Sequence, residues 1–241
     1  MLNAIQARAV CCDNIRGARR RDPTSSNSVL CGRSSMKREK KHGATIIAAA
    51  LVWAAAGTGT QPGLQRRAAT RWEKGAVILV LINSHGAPAG AETLVERAMT
   101  TWTEAAEGRF TMRKTTTGDG ASVRVQFVSG NAIYGEARPR VGPTGDIISA
   151  DVRINGDVSG DTMDRRIILY LTALHELGHV IGLPHTDEFS DIMYSFRRPD
   201  DGARYFGAYR RRLRNSDDVG SARATGLSAG DLAALQMLYK P

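Results

Sequence analysis

Residues 175–185 read His175-Glu176-Leu177-Gly178-His179-Val180-Ile181-Gly182-Leu183-Pro184-His185 and gather three of the chain's five histidines. Residues four apart on an α-helix stand one above the other, so His175 and His179 aim two imidazoles at one point. His185 cannot share that helical face, because it lies beyond Gly182. That glycine is able to take the left-handed conformation that ends a helix and turns the chain back, which returns His185 to the same point. Three neutral imidazoles that leave a fourth tetrahedral position open form the pattern of a catalytic zinc site, whereas structural sites fill all four positions and favour cysteine. Zinc lowers the pKa of water in the open position to about 7. Glu176, beside the first ligand, is then the carboxylate placed to take the proton as that water attacks a carbonyl. A bare His-Glu-x-x-His also arises on ordinary solvated helices. The added Gly-x-x-His at fixed spacing, with Asp191-Ile192-Met193-Tyr194 following, separates this run from that background.

The extended motif resembles the signature of the metzincin metallopeptidases, and within them the matrixins. Their H-E-x-x-H-x-x-G-x-x-H and subsequent methionine turn are matched by His175, Glu176, His179, Gly182, His185 and Met193. The resemblance implies an α+β zincin/metzincin fold: a twisted mixed β-sheet and two long helices above a cleft, with a small C-terminal helical subdomain below. It implies one catalytic Zn2+ on His175, His179 and His185, with Met193 as the apolar floor under the metal. Peptide-bond hydrolysis with Glu176 as general base and then general acid follows, with polypeptide as substrate. Leu227-Ser228-Ala229-Gly230-Asp231 through Leu235-Gln236-Met237-Leu238-Tyr239 resembles the closing helix of matrixin catalytic domains, so the likeness runs from about Trp72 to the end.

Tyr134-Gly135-Glu136-Ala137-Arg138, short and ended by Pro139, reads as an edge strand or, given its glycine, as a surface loop. In the family this segment borders the cleft, and substrates add to it as an antiparallel strand. Tyr134, Gly135, Glu136 and Ala137 are therefore candidate substrate contacts, with Tyr194 beside them. Tyr194 directly follows Met193 and is expected to pack or hydrogen-bond, not to ligate.

Departures from the family pattern carry their own expectations. No cysteine follows Cys31, which argues against latency by a propeptide cysteine. Upstream of the motif only His85 stands within the domain, so no histidine-rich structural zinc site is expected, and His85 reads as a surface residue. Thr186 follows the third histidine where matrixins place serine and astacins glutamate. Ca2+ is implied by the family alone, since no acidic loop of ligand spacing occurs.

The net charge of +9 is concentrated at one end. Residues 1–56 hold ten Lys and Arg against three Asp and Glu, leaving 23 against 21 in residues 57–241. Nucleic acid is not an expected partner of so nearly neutral a domain. Met36 to Ala56 reads as a signal peptide: a basic start, an apolar run from Ala44 to Ala56, then small residues. Thirteen helical residues reach about 20 Å, short of a bilayer core, so no stable membrane span is expected. The expected organisation is a leader over residues 1–35, over-extended or disordered, a signal over 36–56, a linker over 57–71 and the catalytic domain over 72–241. Translation starting at Met36, a secreted location, extracellular or periplasmic, and a monomer complete this reading. Two other classes stay open: a zinc-holding module that binds protein without cleaving it, and a basic protein that binds nucleic acid or anionic surfaces.

Within the domain, Gly75 to Ile82 is an apolar run rich in branched residues that suits a strand covered on both faces. Leu94, Val95, Ala98, Met99, Trp102, Ala105 and Ala106 recur at helical spacing. Phe110 to Lys114, Val123 to Val128 and Ile147 to Asn155 alternate as half-buried strands. Asp161 is the expected N-cap of the motif helix, and Ser228 with Asp231 makes a capping-box variant before Leu232, Leu235 and Leu238. Arg197 to Gly226 carries eight arginines and reads as a solvated basic loop, or as a mobile loop selecting substrates.

Overall fold

The branched run after Trp72 becomes β1 (Ala76–Asn83) in a computed structural model of the chain, which describes residues 70–130 and 133–240. The leader, the signal and nearly all of the linker fall outside the described residues. After β1 come α1 (Ala91–Ala105), β2 (Phe110–Thr115), β3 (Val123–Val128), β4 (Gly135–Val141), β5 (Ile147–Asn155) and α2 (Thr162–Val180). Then α3 (Asp201–Arg210), a 3-10 turn at Ser216–Asp218 and α4 (Ala229–Leu238) complete the domain. The strands form one mixed sheet in the order β2-β1-β3-β5-β4, parallel except for the antiparallel pair β4 and β5. This is the α+β architecture expected from the motif. Among the described residues no helix is long and apolar enough to cross a membrane.

Alternation decides which face of the sheet is covered. Ile78, Val80 and Ile82 of β1, Val123 and Val125 of β3, and Ala150, Val152 and Ile154 of β5 are buried in one core with α1 and α2. The expectation that β1 is covered on both faces does not hold, since Val77 is 52% exposed on the other side. A run of branched residues reports strand propensity but not what lies above each face. The two helices meet through aromatic side chains with satisfied polar tips. Trp102 is fully buried and its Nε1–H donates to Leu174 O at 2.8 Å. Tyr170 Oη lies 3.0 Å from Thr101 Oγ1. These bonds let large rings enter the core without stranding a donor.

Two further expectations are corrected. Pro139 does not end β4, which continues to Val141; as an edge strand, β4 accommodates a residue that cannot donate. The arginine-rich segment is no solvated loop. It folds into α3, whose Tyr205 and Tyr209 are buried on the domain. Arg210 from the end of α3 pairs with Asp161 at 2.9 Å, the N-cap of α2, and with Asp164 in its first turn. Asp161 caps α2 as expected, accepting from Asp164 N–H at 2.8 Å, and the Arg210 guanidinium holds its carboxyl down at about 2. In α4, Leu235 is buried but Leu232 is 39% exposed, so the three leucines do not bury alike.

Candidate metal centre

The motif helix is apolar nearly all round, and burial of Leu169 through Leu174 and of Leu177 seats it against α1 and against β4 and β5 of the sheet. Its histidines are thereby held on a fixed backbone. His175 and His179 follow one another by a turn, with ring centroids 4.8 Å apart. The helix stops at Val180, and Gly182 takes φ 97°. A Cβ at Gly182 would run into Thr70 O, so both the dihedral and the space require glycine. His185 is returned as expected: its Nε2 lies 3.2 Å from His175 Nε2 and 3.1 Å from His179 Nε2. For Gly182→Ala we expect a loss of about 1–3 kcal/mol of stability. Thermal melts would read it, with Gly118→Ala as a neutral control because nothing lies near that position.

The tautomers of the two helix rings follow from their second nitrogens. His175 Nδ1 is 2.6 Å from Ile192 O and His179 Nδ1 is 2.9 Å from Leu183 O. A carbonyl only accepts, so each Nδ1 carries the hydrogen and each Nε2 presents a lone pair. Bare nitrogens about 3 Å apart repel one another; a cation among them turns that repulsion into ligation. A tetrahedral zinc with bonds of 2.0–2.1 Å separates its ligands by about 3.3 Å, close to the spacings found. Among the described residues, these three histidines are the group able to hold a metal ion. Burial pushes His175 down to about 3 and His179 to about 4, and lowers His185 as well, which keeps the rings neutral for metal.

Glu176 points from the same helix toward β4. It is buried, and the Ala137 N–H of β4 donates to its carboxylate. Gly135 leaves room for it: a Cβ there would stand 2.7 Å from Glu176 Oε1 and from Thr172 Cγ2. Burial, and then the nearby Glu136 carboxylate, push Glu176 up to about 8. A divalent cation on the neighbouring histidines acts in the opposite direction.

Beneath the rings, Met193 is buried and packs so close to the helix that a Cβ at Gly178 would collide with its Sδ. Sequence reasoning missed what holds this turn. Buried Asp231, read only as part of a cap, does accept from Ser228 N–H at 2.8 Å and completes the capping box. It also accepts from Ile192 N–H at 2.9 Å and Met193 N–H at 3.3 Å. Asp191 accepts from Ser228 Oγ at 2.6 Å and Thr186 Oγ1 at 3.1 Å, joining the third-ligand segment to α4. The only signal for this in the sequence was the Ser-x-x-Asp spacing.

The other candidate residues are divided. Gly135 and Ala137 stand against Glu176, while Glu136 faces away from the core on the same strand. Tyr134 packs edge-on to Phe206 at 5.2 Å and borders Gly202, so α3 supports the start of β4. Tyr194 donates to Asp201 Oδ2 at 3.0 Å and packs edge-on to Phe189 and Phe196. Phe196 brings an aromatic edge within 6.1 Å of the His175 ring. His85 is exposed on the loop after β1.

Compared with known proteins, residues 71–223 match the family model described as Matrixin, peptidase family M10. The chain is also similar to an interstitial collagenase from Oryctolagus cuniculus, 32% identical over 115 residues, which are 44% of this chain and 24% of that protein. The matched part of this chain thus spans about a quarter of the relative's length.

Proposed function

The chain belongs to the matrixin family of zinc metallopeptidases, and from that premise we propose that it is a secreted endopeptidase whose general base is Glu176. The observation that carries this reading is the convergence of the His175 and His179 Nε2 atoms on His185 Nε2, at 3.2 and 3.1 Å, beside a buried carboxylate. His175, His179 and His185 would hold the zinc. When bound, zinc supplies the Lewis acidity that polarises a peptide carbonyl and acidifies water.

The chain's own residues do the rest. The free edge of β4 offers main-chain groups to an extended polypeptide, which recognises backbone with little regard for sequence. Glu176, set against Gly135 and Ala137, takes a proton from the attacking water on one oxygen and passes it to the leaving amine. Its burial keeps bulk water from competing for that proton. Ile192 O and Leu183 O hold the two helix imidazoles in the ligating tautomer. Phe196 and Tyr134 offer apolar surface next to this centre for a substrate side chain.

Residues 36–56 act in this reading as the signal that delivers the domain, with 57–71 as linker and 72–241 as the catalytic unit. The full chain is expected to bind one zinc and to hydrolyse casein or a peptide library. A chelator should abolish the activity and added zinc restore it. Folded, zinc-loaded protein that cleaves nothing would reject the proposal.

A further inference from the structure

The outer face of the sheet carries charge in rows. Across β3, β5 and β4 the register sets Arg124, Asp151 and Arg138 side by side, and Gln126, Arg153 and Glu136 in the next row. Five of these side chains, with Val152, line a cleft of about 230 Å3. Signs alternate along each row: plus, minus, plus in the first, and neutral, plus, minus in the second. Both rows finish at β4, the edge of the sheet.

Backbone polarity at that edge is set by β5. Asn155 N–H donates to Tyr134 O, and an antiparallel ladder alternates, so Glu136 and Arg138 turn their peptide groups inward to β5. Gly135 and Ala137 therefore turn theirs to the free edge, where the Ala137 N–H meets Glu176. Pro139 lies on the free side too but has no N–H, which limits pairing beyond Ala137. An added antiparallel strand meets Glu136 and Arg138 at the non-hydrogen-bonded positions. There Cα atoms approach to about 4.5 Å and facing side chains are closest.

We propose that β4 selects polypeptide segments with an acidic residue two positions before a basic one, the acid facing Arg138 and the base facing Glu136. This rests on the reading of β4 as the substrate edge. The order follows from direction, because an antiparallel strand passes Arg138 before it reaches Glu136. Each substrate charge continues the alternation of its row. Arg138 and Glu136 pair with each other at 2.9 Å, with side chains 62% and 26% exposed, and an ion pair so open to water exchanges partners at little cost. Since Gly135 and Ala137 abut Glu176, the charged pair falls close to the bond to be cut.

The test uses three peptides of equal length, carrying acid-x-base, base-x-acid or neutral residues at these positions. For the zinc-loaded full chain, kcat/KM is measured. For Glu176→Gln protein, binding is measured by fluorescence anisotropy. Acid-x-base should exceed the neutral peptide about tenfold in both readouts, about threefold for each matched pair, and base-x-acid, which sets like charges opposite, should fall below neutral. The preference should shrink at 1 M salt. It should invert in the Arg138→Glu/Glu136→Arg double variant, and weaken in Arg138→Gln should the double variant fail to fold. Ratios between peptides within one variant cancel any change these substitutions make at Glu176. Equal rates for all three peptides, or an unchanged order in the swapped protein, overturn the proposal and leave the peptidase reading intact. A zinc-loaded chain that cleaves none of them removes the reading on which the proposal rests.

Discussion

Glu176→Gln is expected to lower kcat/KM about 10³-fold while zinc stays bound at one ion per chain. Glutamine keeps the size and one acceptor oxygen of the side chain, so it still fits against Gly135 and still accepts from the Ala137 N–H. It cannot take a proton from water at neutral pH, and among the described residues no second carboxylate is placed to substitute. Glu136, the nearest rival, faces the outer side of the sheet. Stability should change little, because a buried carboxylate that burial already pushes toward its neutral form is replaced by a neutral amide. Two measurements check this together, hydrolysis of a fluorogenic peptide and metal content after gel filtration. Retained activity would show that Glu176 is not the base; lost zinc would show that it serves the metal.

The metal site was legible because its geometry is local. The spacing of His175 and His179 is one helical turn, and Gly182 announces the reversal that returns His185, so no tertiary contact is needed to place the three rings. The strands were legible where one face is covered, as in Val123 to Val128, whose alternation mirrors its burial. Legibility failed where burial comes from distant partners. Tyr205 and Tyr209 of α3 are only two apolar anchors among arginines, too narrow a stripe to separate from a solvated loop. Their burial comes from docking on the domain, with Tyr209 Oη reaching Ala224 O. The run in β1 failed in the opposite way, since its apolar outer residues suggested a cover that is absent over Val77. Asp231 shows a third case, a residue whose local role was readable and whose distant role was not. A capping box uses one oxygen and one amide, and nothing in the spacing says where the remaining acceptor capacity goes.

That remaining capacity makes Asp231→Ala the most damaging substitution expected away from the histidines and Glu176. Asp231 is 1% exposed and its carboxylate takes the Ile192 and Met193 amides, together with Ser228 N–H. Alanine strands those amides in a place water does not reach easily, at about 1–3 kcal/mol for each buried donor. A loss near 3 kcal/mol lowers Tm by about 6–12 °C in a domain of this size. The effect should extend to the metal. Ile192 contributes both the N–H bound by Asp231 and the carbonyl that holds His175 Nδ1. A turn released by the carboxylate therefore releases the ring, and zinc affinity should fall about tenfold. Asp191→Ala provides the contrast. Its partners are the hydroxyls of Ser228 and Thr186, which can rotate to other acceptors or to water, so about 1 kcal/mol is expected and zinc affinity should hold. Calorimetric melts and competitive zinc titration of the two variants separate a buried amide anchor from an ordinary polar contact. Equal behaviour of the two would deny Asp231 its hold on the methionine turn.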